Sequence, residues 1–420
     1  MMREQILDHV YLTYIPSEKF KTSFLSMQLA APLRRESAGQ NALLVNVLSR
    51  GTARCPDLTA LGRELDLLYG ANLEPTVRKK GESQLFGFVA SCIDDRYLSG
   101  GERLLEQLTD LMGEMLCAPA LEEGRLNGDY VSGERENLAD LIRSGVNDKR
   151  AYAARRLIEE MCREEPYGTG RMGSAPDVEA VTREELDRHY RALLPRARLE
   201  LFYCGCAERE RVADSFRRAL ADLPRGGRPE PAPTLRRPAP TECRVVTEAM
   251  DVSQGKLCMG FRTDCGDVPA NMLMNAMFGG GSSSKLFLNV REKLSLCYYA
   301  GSSYHRLKGL VTVSSGIAFE NYDRAVEEIT AQLEAMQRGV WEAEELENAK
   351  RFLCSALRST EDSAGALEDF FMGQAVAGDR ETLPELEAAI AAVTEERVAA
   401  AASALRPDTI YFLRGREDQP

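Results

Sequence analysis

Histidine is nearly missing from this chain: 420 residues hold three, His9, His189 and His305, far apart in sequence. No two stand at helical spacing, so no single helix offers a zinc ion the paired imidazoles from which a hydrolytic site is usually built. The expectation for all three is an ordinary surface or capping role. Long apolar runs are missing as well. Nothing approaches the roughly 18 residues of a membrane helix, which argues against a membrane partner. The opening stretch MMREQILDHVYLTYIPSEKF lacks the apolar core and small-residue cleavage site of a secretory signal, so export is not expected. Positive charge is in deficit. A formal net charge of −12 and a pI near 5.1 repel a phosphate backbone and argue against nucleic acid as a partner. Cysteine pairing is missing too: eleven is an odd number, and the only close pair, Cys204-Gly-Cys206, has neither redox nor zinc-ribbon spacing. Scattered through apolar segments, these cysteines read as free thiols in a reducing cytoplasm.

The chain does have length and internal repetition. At 420 residues it exceeds one ordinary domain. Residues 223–242 hold six of the eighteen prolines and read as a semi-rigid exposed linker. The expected organisation is a first domain over 1–222, this linker over 223–242, and a second domain over 243–420. Without a gap, Leu44, Asn46, Gly51, Leu65, Leu67, Tyr69 and Ala71 recur 229 residues later as Leu273, Asn275, Gly280, Leu294, Leu296, Tyr298 and Ala300. The strings LDLLYGA and LSLCYYA carry the match best. Alternating strands follow in both copies, QLFGFVAS from Gln84 and GLVTVSSG from Gly309, and then amphipathic helices. Residues 134–162 form the longest helical pattern. Leu58, Leu61, Leu65 and Leu68 make a helical stripe that opens after Pro56-Asp57 and stops at Gly70. These patterns predict an α+β fold: a tandem duplication of one unit, with helices packed on one face of a mainly antiparallel sheet.

Catalytic motifs are thin. GGGSSSKLF, residues 279–287, has the glycines of a phosphate loop, but Ser284 stands where that loop needs glycine before its lysine. A turn built on Gly279, Gly280 and Gly281 is expected instead, with serines capping a helix whose Leu286, Phe287 and Val290 face the core. No G-x-S-x-G elbow occurs. Glu134, Glu136 and Asp140 share a helix and read as a solvated face paired with Arg135, Arg143 and Lys149.

Several of these strings together resemble the pitrilysin/insulinase family of zinc peptidases, which includes mitochondrial processing peptidase. GGGSSSKLFLNVREKLSLCYYAGSSY, EEPYGTGRMGS, the two-fold repeat and the mid-chain linker carry the resemblance across nearly the whole chain. Active members bear an inverted zinc motif, H-x-x-E-H, on the first helix, just before a glycine-threonine turn. Aligned on Gly51-Thr52, that motif falls on Ala42, Val45 and Asn46, so both histidines and the general base are lost. The third ligand, a glutamate on the long helix, falls near Leu141, beside Asp140. The resemblance further implies that Arg291 and Tyr298 are the pair that reaches a substrate carbonyl near the metal, with Ser295 standing where the family usually has glycine.

The pattern is similar to that of non-catalytic subunits in two-chain members, and to a bacterial branch named for elongation factor P 5-aminopentanol modification. It implies a subunit that positions peptide for a homologous zinc-bearing sister in a clamshell peptidase, with no cofactor in this chain and zinc in the partner. Self-association is the alternative assembly. The rival functions are a non-hydrolytic scaffold or peptide-binding protein, and a self-sufficient peptidase with an unrecognised site.

Overall fold

Alternation of apolar and polar residues builds two sheets of matching design in the computed structural model, which describes residues 2–416. The first copy runs β1 (Met2–Leu7), β2 (Val10–Pro16), β3 (Thr22–Pro32), α1 (Arg35–Leu48), α2 (Leu58–Leu67), β4 (Asn72–Lys80), β5 (Ser83–Ile93) and α3 (Leu104–Cys117). A tiny hairpin, β6 (Leu121–Glu122) and β7 (Arg125–Leu126), leads to α4 (Gly128–Ser144), α5 (Lys149–Met161), α6 (Ala175–Glu179), α7 (Arg183–Leu193), β8 (Arg198–Gly205) and α8 (Arg209–Ala219). The second copy runs β9 (Arg244–Met250), β10 (Gly255–Thr263), α9 (Val268–Asn275), two π-helical turns (Ala276–Gly280 and Leu286–Lys293), β11 (Cys297–His305) and β12 (Leu310–Ile317). It closes with α10 (Tyr322–Gln337), α11 (Ala343–Thr360), α12 (Ala364–Ala377), α13 (Leu383–Ala391), α14 (Glu395–Ser403) and β13 (Leu405–Gly415).

Strand order is β1-β2-β8-β3-β5-β4 in one sheet and β9-β13-β10-β12-β11 in the other. Leaving out β1, the two orders are the same. In each, the first strand pairs parallel with the last one of its copy, and the remaining pairs are antiparallel. The α+β fold and its mainly antiparallel sheets are therefore as expected.

The main helical layer covers one face of each sheet. In β3, Leu25, Met27 and Leu29 enter a core with α1 and α3; in β10, Leu257, Met259 and Phe261 do so with α9, α10 and α14. Each such side chain, removed from water, contributes about 1.5–3 kcal/mol before entropy is counted. The opposite face carries a single helix. Cys258 of β10 packs there with Ala153, Leu157 and Met161 of α5, while Ser26 of β3 donates to Glu368 of α12 at 2.7 Å.

These two helices do not cluster with the copy that encodes them. One compact unit comprises residues 2–144, 169–233 and 363–380, and the other 145–168, 234–362 and 381–416. Thus α5 belongs with the second sheet, and α12, its counterpart in the repeat, with the first. The pattern over 134–162, expected as one helix, is α4 and α5 separated by residues 145–148. Gly145 lies in the gap, and Asp148 starts a new helix by accepting from the Arg150 and Ala151 amides at 3.0 Å.

The proline-rich segment is fastened on both sides of Pro233. Arg225 donates to Ala197 O at 2.8 Å within the first unit, and Lys308 donates to Leu235 O at 2.6 Å within the second. All eleven cysteines are free. Burial pushes the thiol of Cys92 up to about 12 and that of Cys204 to about 11, so both stay protonated and unreactive at neutral pH. Among the described residues no helix is long and apolar enough to cross a membrane.

Candidate functional site

Helix α1 holds the positions on which the zinc motif falls. Ala42 and Val45 are each 1% exposed and sit among Leu43, Leu44, Val47 and Leu48 in the core of the first unit. Asn46 is half-buried. On α4, Leu141 is 55% exposed, and Asp140 turns to Arg143 at 3.1 Å. Ala42, Val45 and Leu141 bring no lone pair, and a lone amide is a poor zinc ligand. The residues present do not fit zinc here. Among the described residues no group of three or more His, Cys, Asp or Glu side chains could hold a metal ion.

The polar groups beside this helix are occupied by structure. Glu134 of α4 pairs with Arg50, just beyond α1, at 3.1 Å, rather than with the arginines of its own helix. Asn41 donates to Gln84 Oε1 at 2.7 Å and accepts from His189 Nε2 at 2.6 Å. His189 is therefore no surface histidine, and burial holds its pKa below the usual value. The glycine-threonine turn is structural too. A Cβ on Gly51 would lie 2.6 Å from Pro56 O, and Thr52, fully buried, accepts from the Cys55 amide and donates to Glu114.

In the second unit, the glycine run ends the first π turn. A Cβ on Gly279 would meet the Ser302 amide at 2.7 Å; Gly280 is held less closely, and Gly281 is extended. Lys285 is buried against Glu345 at 2.9 Å, so its ammonium is already neutralised and not free for phosphate. Ser284 accepts from the Phe287 amide as a cap, while Leu286 and Val290 are fully buried. Phe287 is half-buried, with the Arg291 guanidinium 4.6 Å above its ring.

Arg291 lies on the second π turn and Tyr298 on β11, the edge strand of its sheet. The Arg291 side chain is 41% exposed, and its one ion-pair contact among the described residues, to Glu292 at 3.6 Å, is of the surface kind that contributes at most about 1 kcal/mol. Tyr298 is 75% exposed. Between them Ser295 adopts φ +51°, the left-handed conformation that glycine takes without strain. The turn is thus kept, at a steric cost.

Hydrogen bonding also corrects the repeat alignment at this point. Leu296 N donates to Val290 O as Ala71 N does to Leu65 O, which places Ser295 opposite Gly70, φ +71°. Tyr298 is therefore not the counterpart of Tyr69; the ungapped match slips by four residues here. The offset of 225 agrees with the strand pair beginning at Gln84 and Gly309. Ser295→Gly is expected to stabilise the protein by about 0.5–1 kcal/mol, the left-handed penalty less the added chain entropy. An unchanged or lower urea midpoint would contradict the strain.

Sequence relatives and solved structures bear on the family and the fold. Residues 180–353 match the family model described as peptidase M16 inactive domain. A Bacillus subtilis protein described as probable inactive metalloprotease YmfF is 35% identical over 408 residues, 96% of this chain and 95% of the relative. The chain belongs to the M16 peptidase family. A conserved protein of Enterococcus faecalis V583 superposes on this M16 chain with a TM-score of 0.91 at 29% identity, covering 100% of it and 99% of that structure. For the peptidase M16 inactive domain from Pseudomonas fluorescens, at 17% identity, the TM-score is 0.78 over 98% and 97% of the two chains, a likeness of fold. Within the family this chain is of the inactive, metalloprotease-like kind.

Proposed function

We propose that this M16 chain is a non-catalytic subunit that positions peptide for a homologous zinc-bearing sister in a clamshell peptidase. One contrast carries the reading. Two of the three zinc-motif positions, Ala42 and Val45, have been rebuilt as core, whereas Arg291 and Tyr298 stay exposed with little structural work to do. A permanently charged guanidinium and a phenol can hold a peptide carbonyl and stabilise the oxyanion that develops on it. The metal and general base come from the sister, the substrate is a peptide or small protein, and the compartment is the cytoplasm, where eleven unpaired thiols persist.

The test starts from the complex purified with whatever chain accompanies this one. Arg291→Ala should leave assembly intact and lower peptide cleavage about tenfold to a hundredfold, by loss of one transition-state donor. An unchanged rate in an assembled complex would favour a non-hydrolytic scaffold, including one that serves elongation factor P modification.

A further inference from the structure

The two copies are covered unequally. In the first unit α8 lies against β1, β2 and α3, and its Val212, Ala213 and Phe216 share one core with Ile6, Val10 and Leu12. In the second unit β9 takes the place of β2 beside the last strand, but among the described residues no strand pairs with its outer edge and no helix follows β13. One face of β9 is open. Val245, in register with Ile410, is 58% exposed, and Thr247 and Ala249 on the same face are exposed with it. Helix α10 walls this floor with Tyr322, whose ring lies 4.7 Å from that of Phe412, and with half-buried Val326.

The wall carries charge. Buried Leu104, Leu108, Met112 and Met115 of α3 and buried Ala325, Ile329, Leu333 and Met336 of α10 repeat at the same spacing, which sets the two helices in register. That register puts Glu327 where α3 has Glu106, and Glu334 where it has Gly113. Glu106 is 5% exposed, held by Arg211 of α8 at 2.7 Å, and Arg218 reaches Asp110 a turn further along at 2.9 Å. On α10 the carboxylates wait. Glu327 is exposed and has no ion-pair contact among the described residues, Glu334 has one, a 3.8 Å contact with exposed Arg338, and Asp323 extends the same flank.

We propose that this face of the second unit docks a basic amphipathic helix of a partner chain, its apolar stripe on Val245 and Val326 and its cations on Glu327 and Glu334. Such a helix lays apolar anchors spaced by turns into a groove and meets charged residues at the rim. In the first unit α8 shows the fit, for Arg211 and Arg218 stand as far apart in the sequence as Glu327 and Glu334. One end differs. A Cβ on Gly113 would lie 2.2 Å from Ala219 O of α8, so Glu334 at that place keeps the partner helix farther off and holds it by charge. The surface lies within the second unit and does not depend on the role proposed for Arg291 and Tyr298.

The probe is a fluorescent peptide with the sequence of residues 209–221, and its control carries glutamate for Arg211 and Arg218. Anisotropy titration of the full chain at low ionic strength should give a Kd below about 1 mM, rising with salt, and the control should bind at least about tenfold more weakly. Val245→Glu, and separately Glu327→Lys with Glu334→Lys, should each weaken the peptide about tenfold. These side chains are exposed, so both variants should melt as the parent does, and either one suffices for the test. The proposal falls if the peptide does not bind below about 1 mM, if the control binds as well, or if a cooperatively melting variant binds unchanged, which would put the peptide elsewhere. It falls too if the chain is a dimer that Val245→Glu splits, since the face would then belong to a second copy.

Discussion

Glu165→Gln is expected to lower the free energy of unfolding by about 3–5 kcal/mol, a large part of what a typical domain possesses. Glu165 follows α5 and is bound at 2.6 Å by both Arg262 Nη2 and Lys308 Nζ. Lys308 has a fully buried side chain that also donates to Leu235 O, so removing the carboxylate's charge takes from an interior ammonium the anion bound to it at 2.6 Å. Removing one partner of a buried ion pair costs more than the intact pair contributed. The companion variant Glu165→Leu with Lys308→Met, which removes both charges, should recover a good part of the loss. Urea denaturation of the three chains tests this, and an undiminished midpoint in Glu165→Gln would contradict it.

The same carboxylate sets a pH dependence. Burial by itself would raise its pKa, but the hydrogen bonds from Arg262 and Lys308 outweigh burial and hold it below the ordinary value. A depressed folded pKa means that the unfolded chain takes up the proton first. Its contribution is therefore complete above the usual carboxylate pKa and is lost as pH falls through the lower folded value. In Glu165→Gln this acid-side loss should vanish.

Restoring the zinc motif by Ala42→His, Val45→Glu and Asn46→His is expected to destabilise the fold by more than about 4 kcal/mol without producing a peptidase. Ala42 and Val45 have 1% exposure, so a histidine would overpack one position and a carboxylate would be desolvated at the other. Asn46 is half-buried and its replacement alone should be tolerated. Metal binding could repay some of this cost only with a further ligand, and Leu141 supplies none. Zinc content after dialysis, thermal melting and peptide cleavage together decide the matter. A stable triple variant holding one zinc per chain would show that the site is only masked.

Much of the architecture can be read from local pattern. QLFGFVAS and GLVTVSSG fall within β5 and β12 or at their edge, and Asp57 starts α2 by accepting from Ala60 N at 2.8 Å. The loss of ligands at Ala42 and Val45 is equally local, since a side chain without lone pairs cannot bind metal. Three features escaped that reading for one reason, namely that their cause lies elsewhere in the chain. The break after α4 falls where the chain passes from the first unit to the second. The contact of Asn41 with His189 spans 148 residues, and that of Glu165 with Arg262 spans 97. Glu165 does sit in EEPYGTGRMGS, so the string drew notice while its partners carried no local signal. The slip between LDLLYGA and LSLCYYA has a different origin: similar letters occupy a turn in one copy and an edge strand in the other.

The crossed membership of α5 and α12 bears on how the protein is made. During synthesis α5 leaves the ribosome before any strand of the sheet it will cover, and its neighbour β13 follows every other strand of that sheet. The first sheet, begun at residue 2, waits for residues 363–380 to cover its second face. The first unit has all its segments once residue 380 is made, whereas the second still awaits β13. Although the chain is a duplication, its first unit is not finished when its first copy is, and a nascent chain interrupted before residue 363 carries a first sheet with one face uncovered rather than a finished domain.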